Sequence, residues 1–113
     1  MHNVFENSHE DGAVMKEKKL LKIYANIHKM LSNPKRIEII SALQDREKTG
    51  TELVRLLGIQ KANVSQYLNV MSLHGIVEGN RDGQKVYYSI NPKWAQAYSH
   101  IKEAINVLMG NKI

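Results

Sequence analysis

The segment Leu57–Val77, with the sequence LGIQKANVSQYLNVMSLHGIV, decides how we interpret this chain. Apolar residues recur in it at the three- to four-residue spacing that predicts an amphipathic helix. We expect this helix to run from about Lys61 to His74 and to end at Gly75. Taking roughly 100° per residue, its inward face is formed by Val64, Tyr67, Leu68 and Met71.

The outward face of this predicted helix is polar but uncharged. A face that rests on other protein is apolar, and one that only meets water usually carries Lys and Glu. Short polar side chains suit close approach to the floor of the DNA major groove, because Gln and Asn can pair with adenine, Ser can bond to several bases, and Ala can touch a thymine methyl. We therefore expect base contacts from Ala62, Asn63, Ser65, Gln66 and Asn69. Leu73 also lies outward, and we expect it to pack under the element that follows.

The residues before this helix predict the first half of a helix-turn-helix. Thr51 is the predicted N-cap of a short helix, ELVRLL, which Gly58 ends. Ile59 and Gln60 then form a tight turn. A short helix, a tight turn and a second helix with a polar outer face are typical of this DNA-binding motif.

The residues after it predict a β-hairpin. IVEGN and QKVYYSI alternate like strands, and Arg81-Asp82-Gly83 lies between them. Asp-Gly between two such runs is a strong hairpin signal. Arg81 and Lys85 flank the turn, so a positive tip is expected to hold the DNA backbone, together with Lys61 and Tyr67.

Three further helices are predicted. The first is MKEKKLLKIYANIHKML, whose Lys16, Lys18, Lys19 and Lys22 form either a solvated face or an edge near phosphates or an acidic partner. Asn33 and Pro34 start the second, KRIEIISAL, with Ile37, Ile40 and Leu43 inward, and the DREKTG stretch after it is a charged loop. Asn91 and Pro92 start the last helix in the same way.

Both terminal helices carry apolar stripes longer than a small core can cover. Unburied stripes of this size usually indicate a partner, and a symmetric dimer would bury both. The expected dimer residues are Leu20, Ile23, Ile27, Trp94, Tyr98, Ile101, Ile105 and Leu108. The predicted fold is thus mainly α with a small β-hairpin, a winged helix-turn-helix of order α-α-α-α-β-β-α that dimerises through its first and last helices.

The amino-acid composition is consistent with a DNA-binding protein and excludes some kinds of site. The 113 residues carry 16 Lys and Arg against 11 Asp and Glu, a net charge of +5, which is compatible with a polyanionic partner. Cysteine is absent, which excludes disulfides and thiolate metal sites within these residues. The sequence shows no long apolar run and no signal-peptide pattern, so we expect a cytoplasmic protein with no membrane partner. Residues 1–13 are expected to form a flexible tail, and residues 14–110 one DNA-binding and dimerisation domain.

Two segments of the chain resemble a known protein family. NPKRIEIISAL, followed by TELVRLLGIQKANVSQYLNVMSLHGIVEGNRDGQKVYYSI, is similar to the ArsR/SmtB family of dimeric repressors, over about Leu31 to Ile90. The resemblance implies a homodimeric repressor that binds an imperfect palindrome in double-stranded DNA. The chain departs from the family where Gln60 and Gln84 stand in place of a frequent Ser and Arg. Gln is the poorer N-cap, and Gln84 leaves more of the hairpin's charge to Arg81 and Lys85.

The family also suggests sensor sites, which this sequence mostly lacks. Many relatives sense metals or reactive sulfur through cysteines. Others bind zinc between their last helices through an Asp-x-His half and a His-x-x-Glu half. Here His100 and Glu103 supply only the second half, because Ser89 and Tyr87 stand where the first would be. We therefore predict no metal or other cofactor, with zinc at His100 and Glu103 as the less favoured alternative.

Two other functions stay open from the sequence alone. The same fold could be a protein-interaction module, an antirepressor or adaptor, that does not bind DNA specifically. A small-molecule effector could also bind near Tyr24, Trp94 and Tyr98. We predict no enzyme and no catalytic residue, since the chain contains no Gly-rich phosphate loop, no paired carboxylates in an apolar setting and no nucleophile motif.

Overall fold

The computed structural model describes residues 8–110, with side chains from residue 12 onward. Within this range the elements are α1 (Ser8–Met30), α2 (Pro34–Ala42), β1 (Lys48–Thr49), α3 (Gly50–Leu57), α4 (Lys61–Leu73), β2 (Val77–Asp82), β3 (Lys85–Ile90) and α5 (Pro92–Leu108). The mainly helical class and the order of the five helices and the hairpin are confirmed. The addition is β1, which makes the hairpin the larger part of an antiparallel sheet of order β1-β3-β2.

Helix α1 belongs to a compact unit that ends at Pro34, and the remaining elements form a second unit from Lys35 onward. The helix begins at Ser8, so the predicted tail is wrong for residues 8–13, while residues 1–7 lie outside the described part of the chain. Along α1, Leu20 and Ile23 are exposed and Ile27 is half-buried.

The stretch predicted as a charged loop contains both β1 and the start of α3. Lys48 pairs with Tyr88 and Thr49 with Tyr87, a ladder too short to leave a periodic pattern in the sequence. Thr49, and not Thr51, is the N-cap of α3. Its hydroxyl accepts from the Glu52 N–H at 3.1 Å, and the Glu52 carboxylate accepts from the Thr49 N–H at 3.1 Å. This reciprocal pair requires Glu three residues after the cap, a condition that Thr51 does not meet.

The hairpin is confirmed, with its turn one residue later than expected. Asp82 pairs with Lys85 in the ladder, so the connection is the two-residue turn Gly83-Gln84. Gly83 has a φ of 64°, a backbone conformation that favours glycine.

The core of the second unit lies between α2, α3, α4 and the start of the sheet. Its fully buried side chains include Ile39, Ile40, Leu53, Val64, Leu68, Met71, Ile76 and Val77. Ile40 and Leu43 are buried as predicted, but Ile37 is 37% exposed, because the buried side of α2 is formed by Ile39 and Ile40. Leu73 is 80% exposed and does not pack under the hairpin, where Ile76 and Val77 are buried instead.

Lys48 is buried, with only 5% of its surface exposed, and it is held by charge and hydrogen bonds. Its ammonium donates to the Ala42 carbonyl at 2.5 Å and to Oδ1 of Asp45 at 2.6 Å. The hydrogen bond from Lys48 lowers the pKa of the Asp45 carboxyl below its ordinary value of 3.8. The pair therefore ties the residues after α2 to β1.

This pair predicts a loss of stability in acid. A carboxyl whose pKa is lower in the folded chain stabilises the fold above its unfolded pKa, and that stabilisation is lost as the pH falls through the folded pKa. We therefore expect Asp45→Asn to melt below the wild type near neutral pH, with the difference shrinking below about pH 4. Melting temperatures measured by circular dichroism between about pH 7 and 3 check this.

Glu47→Gln is the matched control for that series, because Glu47 lies in the same loop and takes part in no ion pair among the residues described. We expect a smaller pH-dependent difference for it. An Asp45→Asn difference that stays constant down to about pH 3 would contradict the role given to the Lys48 pair.

Candidate nucleic-acid interface

Helix α4 separates an apolar buried face from a polar exposed one, as its sequence predicts. Val64, Leu68 and Met71 are buried, each at most 2% exposed. All five residues predicted to contact bases are exposed: Ala62, Asn63, Ser65, Gln66 and Asn69. The exposed side is therefore a surface of short, uncharged side chains, all of which except Ala62 can donate and accept hydrogen bonds.

The backbone between α3 and α4 fixes the direction in which this surface faces. Gly58 ends α3 in the left-handed conformation, with a φ of 66°, and its N–H donates to the Val54 carbonyl at 2.9 Å. Ile59, 5% exposed, anchors the turn in the core. Gln60 makes no side-chain hydrogen bond to the first turn of α4, so backbone geometry and the burial of Ile59 set the angle between the helices.

Tyr67 is the predicted contact residue that is half-buried. The guanidinium of Arg36, on α2, lies over its ring at 5.8 Å from the ring centre, a distance typical of a cation–π contact. The contact joins α2 to α4 beside the exposed polar surface. The Tyr67 ring therefore supports the position of α4, as its predicted place on the inward face suggests, while its contact with Arg36 is a partner the sequence did not predict.

The hairpin presents its two predicted cations on opposite faces. In the ladder, Arg81 lies opposite Val86, and Lys85 lies opposite Asp82. Residues opposite each other share a face of the sheet, whereas neighbours on one strand, such as Arg81 and Asp82, point to opposite faces. Both side chains are exposed. A single phosphate is thus not held between them, and each would meet a different part of a bound duplex.

A groove of about 430 Å³ connects the helix-turn-helix with the hairpin. It is lined by residues of α3, α4 and β3, among them the predicted Lys61, Ser65 and Lys85. Thr51, Arg55 and Gln84 also line it, and the sequence patterns did not indicate them as contact residues. The four-residue spacing of Thr51 and Arg55, which puts them on one face of α3, is a signal that could have suggested them.

Among the described residues, Glu52 is the one acidic residue that lines the groove, and its negative charge is balanced by an ion pair with Arg46. Glu52 accepts from the Thr49 N–H and from Nη2 of Arg46 at 2.9 Å, and these two bonds, the backbone one first, lower the pKa of its carboxyl below 4.5. Arg55, Lys61 and Lys85 take part in no ion pair within the described chain. The groove is therefore positively charged.

The last helix keeps most of its predicted dimer residues accessible in the single chain. Trp94 and Tyr98 are half-buried, while Ile101, Ile105 and Leu108 are exposed, the last to 83%.

His100 and Glu103 are exposed on the same helix. From residue 12 to residue 110, no three His, Asp or Glu side chains lie close enough to share a metal ion. Across that same range, no helix has the length and apolarity needed to cross a membrane.

Comparison with known proteins places this arrangement in context. Residues 33–78 match the family model described as "Bacterial regulatory protein, arsR family". An HTH-type transcriptional regulator of Mycobacterium tuberculosis, Rv0081, is 36% identical over 77 residues, which make up 67% of this chain and 68% of that protein. The transcriptional repressor SdpR of Bacillus subtilis is 30% identical over 66 residues, or 58% of this chain and 73% of that repressor.

Solved structures agree with the fold. The crystal structure of M. tuberculosis Rv0081 superposes with a TM-score of 0.76 at 30% identity, covering 82% of this chain and 95% of that one. The solution structure of a homodimeric winged helix-turn-helix DNA-binding domain, Mb0332 from Mycobacterium bovis, gives a TM-score of 0.74 at 24% identity, with 87% and 93% covered. The architecture is thus the winged helix-turn-helix that the sequence predicts.

Proposed function

Since the chain belongs to the ArsR family of bacterial transcriptional regulators, we propose that it is a repressor that binds a palindromic DNA operator as a homodimer. The observation that most supports this is the exposed, uncharged polar face of α4, carried on a fully buried apolar face. Such a helix can enter the major groove and contact base edges.

In this proposal the exposed residues of α4 specify the sequence. Gln66 and Asn69 offer the paired donor and acceptor that adenine requires, and Ser65 and Asn63 can bond to several bases. Ala62 can contact a thymine methyl. Lys61, Arg81 and Lys85 hold the phosphates, with Tyr67 beside them at the edge of α4, and these contacts fix the register of the protein on the duplex.

The homodimer is supported by apolar surface that the single chain leaves uncovered. Leu20 and Ile23 on α1, and Ile105 and Leu108 on α5, are exposed although they are large and apolar. A two-fold partner that covers them would also place two copies of α4 about one DNA turn apart, which suits an operator of two inverted half-sites. We propose Ile27, Trp94, Tyr98 and Ile101 as further members of this interface.

The proposed repressor does not sense its signal through cysteine, because the 113 residues contain none. We also propose that no metal is needed for DNA binding, since Ser89 and Tyr87 stand where the family resemblance would place the ligands that complete a zinc site with His100 and Glu103. An inducer would instead be a molecule that changes the dimer and thereby the spacing of the two α4 helices.

Fluorescence anisotropy with DNA from upstream of its own gene, against a scrambled duplex of equal length, tests this function. If roughly six to ten phosphates are contacted, the logarithm of affinity should fall with the logarithm of salt concentration with a slope of about −5 to −9. Preference for the upstream duplex supports a specific regulator. A folded dimer that binds neither duplex would contradict the proposal and favour a protein-interaction module.

A further inference from the structure

We propose that Arg55 holds a phosphate of the bound DNA, together with Lys61 and Lys85, in the groove between α3, α4 and β3. This inference rests on the proposed DNA binding. It adds a specific backbone contact from α3, which the sequence patterns did not indicate.

Three separate elements bring these cations to one groove. Arg55 lies in the last turn of α3, while Lys61 is the first residue of α4 and Lys85 the first of β3. The hydroxyl residues Thr51 and Ser65 line the same groove. Ammonium, guanidinium and hydroxyl groups are the side-chain donors that phosphate oxygens accept from in protein–DNA complexes.

The charge around the groove indicates that an anion belongs in it. Three cations elsewhere in the second unit have acidic partners: Lys35 pairs with Glu38, Arg46 with Glu52, and Lys48 with Asp45. None of the three groove cations forms an ion pair within the described residues, and Asp82 faces Lys85 only as its ladder neighbour. Like charges brought together without a counter-charge destabilise the free protein, and a bound anion relieves that repulsion.

The position of the groove identifies the anion as the DNA backbone. Ser65 and Lys61 belong both to the groove lining and to the side of α4 proposed to enter the major groove. Phosphates border the major groove on both sides, so a helix inserted there brings one border against its flanking elements. A phosphate held here would link α3 and the hairpin across the edge of α4.

Arg55→Gln, measured by anisotropy on the upstream and scrambled duplexes over a series of salt concentrations, tests the contact. We expect the salt slope to become less steep by about one, as for one lost phosphate contact. Affinity should fall about five- to tenfold on both duplexes alike. Arg55→Lys keeps the charge and should retain most of the slope.

Lys35→Gln is the matched control, because it removes the same charge from an exposed residue that does not line the groove. It should leave the salt slope unchanged. Arg55 is exposed, so the melting temperatures of both of its variants should stay close to the wild type.

Other outcomes separate the two proposals. If the wild type binds with the expected salt dependence and Arg55→Gln has the same slope, the phosphate contact is wrong while the DNA-binding function stands. A loss confined to the upstream duplex would assign Arg55 to a base and overturn the phosphate role. A wild type without salt-dependent binding would overturn both.

Discussion

Replacing Leu68 by alanine should lower the free energy of unfolding by about 2–5 kcal/mol, the range for truncating a buried leucine. Leu68 is 2% exposed on the inward face of α4, and its Cδ1 lies 4.0 Å from the position a Cβ would take on Gly50, the first residue of α3. The truncation would leave a cavity between the two helices. Because small domains have only about 5–15 kcal/mol of stability, a large part of the total would be lost.

Denaturant titration followed by circular dichroism measures this effect, at a fixed protein concentration because dimerisation adds to stability. Leu73→Ala is the matched control, the same substitution on the same helix at a side chain that is 80% exposed. We expect it to change stability by no more than about 0.5 kcal/mol. Equal losses in the two variants would show that the packing described for α4 is wrong.

Replacing Gln66 by alanine should lower the affinity for the operator and not the stability of the fold. Gln66 is exposed on the outward face of α4, so stability should be nearly unchanged. Affinity for the operator should fall by about 1–3 kcal/mol, because the bidentate contact with one base is lost, and that position of the operator should tolerate substitution. Affinity for random DNA should stay the same.

Anisotropy on operator and scrambled duplexes measures the difference, with Gln96→Ala as control. Gln96 is an exposed glutamine on α5, outside the proposed DNA surface, and its loss should leave both affinities unchanged. A Gln66→Ala variant that loses equal affinity for both duplexes would contact the backbone and not a base, which would remove the central residue of the proposed specificity.

Local periodicity is why the sequence predicts α4 and its two faces so well. The spacing of Val64, Leu68 and Met71 alone places Gln66 and Asn69 on the opposite side of the helix, and no long-range contact is needed to infer this. The hairpin is predictable for a similar reason, since turn residues lie next to the strands that they connect. The capping of α3 is equally local, because Thr49 followed by Glu52 is a recognisable capping box, which the prediction of Thr51 as N-cap does not take into account.

Long-range pairing explains what the sequence did not predict. Strand β1 exists because Lys48 and Thr49 meet Tyr88 and Tyr87, partners far along the chain. The groove that holds Arg55 depends on the same pairing, since that ladder attaches β3 beside the start of α3. A pattern confined to α3 could show that Arg55 is exposed, but not which cations surround it.

Selection from a pool of randomised DNA duplexes tests sequence-specific binding by paired α4 helices, because the protein itself then chooses the operator sequence. We predict enrichment of an inverted repeat whose half-sites are centred about 10 base pairs apart, as two copies of α4 in one dimer require. Substituting Gln66 should relax one position in each half-site. A protein that enriches no sequence, or enriches a single unrepeated site, would contradict the claim that paired α4 helices read this operator.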